Sequence, residues 1–408
     1  MDSVKAHRRC GGKIEIMPKC DVKSYDDFAV WYTPGVAEAC RAITEDRAEA
    51  FELTNRWNTI AIVTDGTRVL GLGNIGAEAA LPVMEGKALL FKCLGGVDAV
   101  PLCLNGNVEE VVRAIAPTFG GINLEDIESP RCFSLLEKLR STLDTPVWHD
   151  DQQGTATAVV AGLINALKVA GKRAEEVKVV LVGAGAAGIA IERLLPQMGI
   201  KEGSIIVVDS KGIISRERKD LEEYKKELCD RTNAEGLYGG LEKAVKGADA
   251  IIAASAPGAI REEHIKLMKD KAIVFATANP VPEIEPEKAR GAFIMATGRS
   301  DFENQVNNSL VFPAVFRGVL DVRAKRITDS MCIAAANALA ESVGERLSEH
   351  YIIPRMDETA PFVREATAVG MEAIKEGIAG LNYRYEDLYA VCKERIENAR
   401  ERCMGKRT

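Results

Sequence analysis

Two acidic pairs carry the most direct chemistry in this sequence: Glu125-Asp126, within Gly-Gly-Ile-Asn-Leu-Glu-Asp-Ile, and Asp150-Asp151, within Val-Trp-His-Asp-Asp-Gln-Gln-Gly-Thr. Four carboxylates sharing a cleft repel one another unless a hard divalent cation sits among them, and Mg²⁺ and Mn²⁺ take oxygen ligands. The pairs point to metal-assisted chemistry. Spacing alone leaves the alternative open, that they are solvated acids in loops and helix caps.

A second pattern concerns a nucleotide. The apolar run Val177 to Val182 reads as a buried strand, and Gly183-Ala184-Gly185-Ala186-Ala187-Gly188 follows it directly, leading into the helical pattern Ile189 to Leu195. Glycines in this context allow a tight turn and close approach of the backbone to a pyrophosphate, which the helix N-terminus then stabilises. The next apolar run, Ile205 to Val208, ends in Asp209-Ser210, where a ribose-binding acid belongs. A carboxylate there favours NAD⁺ over NADP⁺, although Lys211, Arg216, Arg218 and Lys219 follow closely enough to meet a 2′-phosphate.

The same spelling occurs once more, at Gly71-Leu72-Gly73-Asn74-Ile75-Gly76, but its context differs. Asp65-Gly66 between apolar runs predicts a hairpin, and Pro82 predicts a break in the helix that follows. This copy reads as a backbone turn in the substrate-binding part of the chain.

The elements that must position these residues follow from periodicity. An N-terminal mixed α/β substrate domain is expected over residues 1–152, including a strand at Ala99 to Leu104. A Rossmann-type doubly wound parallel sheet is expected over 153–326, with further strands near 250–254, 272–276 and 293–296. Residues 327–408 read as a C-terminal helical segment. With 408 residues and 47% hydrophobic content the chain can bury a multi-domain core, and it has no apolar stretch long enough to span a bilayer. The net charge of -7 argues against a nucleic-acid partner. His7, Arg8 and Arg9 are not followed by a signal-peptide core, so no export is expected. Ten cysteines without a CxxC pair read as reduced thiols of a cytoplasmic protein.

Several blocks, in order, resemble the malic enzyme family in its short prokaryotic form. They are Tyr32-Thr33-Pro34-Gly35-Val36-Ala37, Thr64 to Asn74, Pro82 to Lys87, Glu125-Asp126-Ile127, His149 to Thr155, Ala278-Asn279-Pro280 and Val306-Asn307-Asn308. One departure is Gly76 to Leu81, where a Pro-Leu-containing turn is expected in relatives. The resemblance implies oxidation of L-malate with NAD⁺ or NADP⁺ and decarboxylation to pyruvate, with Mg²⁺ or Mn²⁺ held by Glu125, Asp126 and Asp151. It implies Lys87 as the base for the C2 hydroxyl, with Asp150 orienting it, and Tyr32 as the acid that protonates C3. Arg68, Asn279 and Asn308 would bind malate, Asn279 also lying beside the cofactor held by Gly183, Gly185, Ala186, Ala187, Gly188, Asp209 and Ser210. A lysine titrates near about 10.4, so a base role asks for a lowered value, which a dication and Arg68 would supply. Relatives are commonly dimers, which implies a homodimer.

Other readings remain at this level. A malolactic or oxaloacetate-decarboxylating enzyme could use the same framework, an amino-acid dehydrogenase would need no carboxylate metal site, and a nucleotide sensor would not need Lys87, Tyr32 and the acids together.

Overall fold

The first sheet has four parallel strands: β1 (Thr59–Thr64), β2 (Asp98–Cys103), β3 (Gly121–Leu124) and β4 (Val147–His149), in the order β2-β1-β3-β4. The computed structural model describes residues 2–69 and 71–405; Leu70, inside one of the matched blocks, lies outside them. β1 and β3 are buried almost throughout, as the continuous runs Ile60 to Val63 and Ile122 to Leu124 require of strands covered on both faces.

The expected hairpin does not form. β1 pairs in parallel with β2 and β3, and among the described residues the chain past Asp65-Gly66 makes an isolated bridge between Val69 and Gly73. Nor does Pro82 end a helix, because one helix runs from Gly76 to Gly95 through it. That helix buries Met84, Lys87, Ala88 and Phe91, and this packing offsets the roughly 3 kcal/mol that an interior proline costs.

The second sheet contains β5 (Val179–Val182), β6 (Ile205–Asp209), β7 (Gly212–Ile213), β8 (Ala250–Ala253), β9 (Ala272–Ala276) and β10 (Ala292–Thr297), ordered β10-β9-β8-β5-β6-β7. Five strands are parallel and the short edge strand β7 is antiparallel. The winding reverses at β5, which lies between β6 and β8, and such a switch point opens a crevice beyond the strand ends. This is the expected Rossmann-type α/β sheet.

The helices Phe312–Asp321, Asp329–Glu341, Ala360–Lys375 and Tyr385–Cys403 close the molecule. Phe312 and Phe316 pack against Phe91, with ring centroids 4.5 and 5.4 Å away, so the C-terminal helices share a core with the Gly76–Gly95 helix. Cys93 and Cys403, 310 residues apart, are joined by a disulfide across this contact. The expectation of uniformly reduced thiols is corrected at these two positions.

Candidate active site

Strand alternation sets the site. Asn123 and Trp148 are register partners on β3 and β4, as are Leu124 and His149. Side chains two residues apart on a strand share a face, and Glu125 and Asp150 emerge on the face of Asn123 and Trp148, which donate to them; Asp126 and Asp151 follow where the backbone is no longer extended. Asp126 adopts φ 53°, and a π-helical turn over Asp150–Gly154 leads into the Thr155–Ala170 helix. The four acids thereby converge at the C-terminal ends of the strands.

Lys87 meets the first pair. Its Nζ donates to Glu125 Oε1 and Asp150 Oδ2, each at 2.5 Å, and lies 4.7 Å from the centre of the Phe312 ring. All three groups are almost inaccessible to water. Burial works to lower Lys87, but Asp150, Glu125 and Asp151 outweigh it and hold the ammonium above the ordinary lysine value. The lowering expected of a base is tied to a bound dication, and the protein's own groups act in the opposite direction. Burial and the neighbouring carboxylates raise Glu125 well above its usual value despite Lys87.

The second grouping suits a cation. Glu125, Asp126 and Asp151 each offer an oxygen, all within 4.8 Å of one another. Asp151 Oδ2 accepts the Asp126 backbone N–H at 2.9 Å, and Arg68 N–H donates to the Asp126 carbonyl at 3.0 Å. The all-oxygen set and the excess of negative charge fit a hard dication.

Other predicted residues fall around this centre. A Cβ built on Gly154 would lie 3.2 Å from Asn308 Cβ and 2.0 Å from Asp150 Oδ1, so Asn308 borders the acidic turn. Asn279, beyond the end of β9, closes on the other copy of the glycine pattern: a Cβ on Gly71 would be 3.5 Å from its carbonyl oxygen. Tyr32 stands apart, 67% exposed at the end of the Asp27–Trp31 helix.

The dinucleotide loop opens at the end of β5. Gly183 has φ 116°, and a Cβ there would sit 2.3 Å from the Ala254 carbonyl oxygen; on Gly188 it would sit 1.9 Å from that of Gly183. At Gly185 a Cβ would meet nothing within 4 Å, so the missing side chain leaves open space where a pyrophosphate would approach. Ala186 and Ala187 begin the Ala186–Leu194 helix, which packs on the acidic turn.

Asp209 is less free than expected. Oδ1 accepts from Lys211 N–H at 2.9 Å and Arg218 Nη1 at 2.6 Å; Oδ2 lies 3.2 Å from Arg218 Nη2 and 3.3 Å from Lys225 Nζ. Burial pushes Asp209 upward, but these cations and the amide outweigh it and hold the carboxyl below its usual range. Ser210 is exposed beside it. Sequence reading missed Lys225, Phe312 and the donors Asn123 and Trp148; strand alternation could have found the last two.

Comparison with known proteins gives consistent matches. Residues 152–375 match the family description "Malic enzyme, NAD binding domain", and residues 11–111 match "Malic enzyme, N-terminal domain". The NAD-dependent malic enzyme of Geobacillus stearothermophilus is 50% identical over 90% of this chain and 78% of its own. The bifunctional malic/malolactic enzyme of Bacillus subtilis is 47% identical over 95% and 96%. Proteins named NADP-dependent malic enzymes match at 40 to 43% identity. The crystal structure of a malic enzyme from Pyrococcus horikoshii superposes with a TM-score of 0.91 at 50% identity, covering 95% of this chain and 92% of that one.

Proposed function

The chain belongs to the malic enzyme family, and from that premise we infer that it oxidises L-malate and decarboxylates the product to pyruvate and CO₂, reducing NAD⁺ or NADP⁺. The observation that carries this reading is the buried Lys87–Glu125–Asp150 cluster beside the triad Glu125, Asp126 and Asp151, with the helix that follows the Gly183–Gly188 loop packed on the acidic turn.

In this reading Glu125, Asp126 and Asp151 hold Mg²⁺ or Mn²⁺, which when bound supplies Lewis-acid polarisation at the C2 oxygen of malate. The nicotinamide cofactor supplies the hydride acceptor. Lys87 in its neutral form takes the proton of the C2 hydroxyl, and Asp150 aims its Nζ. Arg68 grips a malate carboxylate through its planar fork, and Asn279 and Asn308 donate hydrogen bonds. Gly183, Gly185, Ala186, Ala187 and Gly188 receive the pyrophosphate, with Asp209, Ser210 and Asn279 beside the rest of the cofactor.

Tyr32 is the proposed acid that protonates C3. In the same N-terminal stretch Ile16, Met17, Tyr25, Phe28, Val30 and Trp31 are also exposed. Exposed apolar residues in such number support a homodimer that covers them, which sedimentation would test. The proposed units are residues 1–152 for malate and metal, 153–326 for the dinucleotide and 327–408 as the closing helices. No described helix is long and apolar enough to cross a membrane, and a cytoplasmic location belongs to the same proposal.

Malate is assayed with NAD⁺ and NADP⁺ in parallel, with Mn²⁺ or EDTA, and pyruvate is measured by a coupled enzyme. Reduced cofactor and pyruvate in equal amounts support the reading. Lactate without net reduced cofactor would favour the malolactic alternative, for which the Bacillus subtilis relative gives specific reason. Turnover undiminished by EDTA would remove the metal assignment.

A further inference from the structure

Three of the four carboxylates that emerge from β3 and β4 have a buried polar side chain two residues upstream; behind the fourth, Asp126, stands Leu124. Asn123 Nδ2 donates to Glu125 Oε2 at 2.9 Å, and Trp148 Nε1 donates to Asp150 Oδ1 at 3.0 Å. The third member of the series, His149 with Asp151, is the open one. His149 Nδ1 stands 3.6 Å from Asp151 Oδ2, just beyond hydrogen-bond length, and neither ring nitrogen has a partner although the side chain is 0% exposed. A fully buried imidazole with two unmet polar atoms is costly, and a residue kept only for packing would be better served by an apolar side chain.

Resting on the metal reading above, we propose that His149 is a positioning residue for the metal ligand Asp151, its Nδ1–H closing onto Oδ2 as a cation draws the carboxylate in. Oδ2 would then be held from two sides, by the Asp126 amide and by the imidazole. The role extends the alternation that already joins Asn123 to Glu125 and Trp148 to Asp150. It also accounts for a histidine in a place that water does not reach. Donors behind metal ligands hold their orientation, and their loss commonly weakens metal affinity about ten- to a hundredfold.

The test measures Mn²⁺ binding to the full chain, without malate or nucleotide, from the electron paramagnetic resonance signal of free Mn²⁺. His149→Phe keeps the ring volume without a donor, and His149→Asn retains a short N–H donor. We expect His149→Phe to raise the Mn²⁺ dissociation constant at least tenfold and His149→Asn to stay within about threefold of the native protein. With saturating Mn²⁺ the turnover number of His149→Phe should recover, while the Mn²⁺ concentration needed for half-maximal rate stays raised. Native affinity in His149→Phe, or equal losses in both variants, would overturn the proposal. Asp151→Asn separates the two levels: if it loses Mn²⁺ while the His149 variants do not, only the positioning role fails; if it binds Mn²⁺ normally, the metal reading fails with it.

Discussion

Removing Arg218 should shift cofactor preference toward NAD⁺. Asp209 presents a carboxylate whose acceptor directions are taken by Lys211 N–H, both Arg218 nitrogens and Lys225. The Asp209 and Arg218 side chains are only 11% and 14% exposed, so solvent screens the pair weakly. While the clamp holds, the acid is neutralised and cannot repel a 2′-phosphate as a free strand-end acid would. Arg218→Gln releases acceptor capacity toward the ribose hydroxyls, restores a negative charge beside them and removes a cation that a 2′-phosphate would otherwise meet. A unit charge pair about 4 Å apart at an effective dielectric of about 20 interacts by roughly 4 kcal/mol, an upper limit here because Lys225 and solvent compensate. Taking one third to two thirds of that figure, about 1.4–2.7 kcal/mol, gives a ten- to hundredfold change in the ratio of kcat/KM for NAD⁺ to that for NADP⁺. Asp209→Asn should move the ratio the other way, since Arg218 and Lys225 are then left to the phosphate. Initial rates with each cofactor at low and moderate salt measure both effects. A ratio unchanged within twofold in Arg218→Gln, or one moved toward NADP⁺, would refute the reasoning.

Lys87→Ala should abolish malate oxidation, whereas Tyr32→Phe should chiefly impair decarboxylation and pyruvate enolisation; separate assays of the three reactions distinguish them. Cys403→Ser opens the 310-residue loop closed by Cys93; a loss of about 2–4 kcal/mol should lower Tm by about 2–5 °C under oxidising conditions, and dithiothreitol should abolish the difference. Glu365 is 0% exposed without a hydrogen-bond partner for either oxygen, and burial raises its carboxyl well above the ordinary value of 4.5. Its folded pKa exceeds the unfolded one, so its contribution to stability is intact below about 4.5 and is lost as pH rises through the folded value. Glu365→Gln should therefore raise Tm by about 1–3 °C at pH 8, and differential scanning fluorimetry should show the gain fading toward pH 4.5.

Legibility in the sequence tracked how local each cause is. The loop from Gly183 to Gly188 could be read because Gly188 answers to the Gly183 carbonyl within one strand-turn-helix unit and Gly183 to the neighbouring Ala254 carbonyl, while Gly185 borders open space. Asp65-Gly66 misled for the opposite reason. Gly66 does take the positive φ of 68° that such a dipeptide favours, but the partners of β1 are β2 and β3, which local turn chemistry cannot reveal. Pro82 likewise reports a local cost, while the helix through it is decided by Met84, Lys87 and Phe91 packing against distant elements such as Phe312.

The same distinction applies to the electrostatics of Lys87. Burial alone pushes the lysine down, and two carboxylates at 2.5 Å, carried at the ends of different strands, outweigh it. Those carboxylates are sequence neighbours of the cation triad, and Glu125 belongs to both sets. Glu125 thus stands between Lys87 and the acidic triad: Asn123 fixes its Oε2, and Oε1 is the oxygen in contact with the lysine. Strand alternation therefore does more than bring acids to the strand ends; it places Asn123 behind Glu125 and Trp148 behind Asp150, so each acid that meets Lys87 is held by a donor on its own strand.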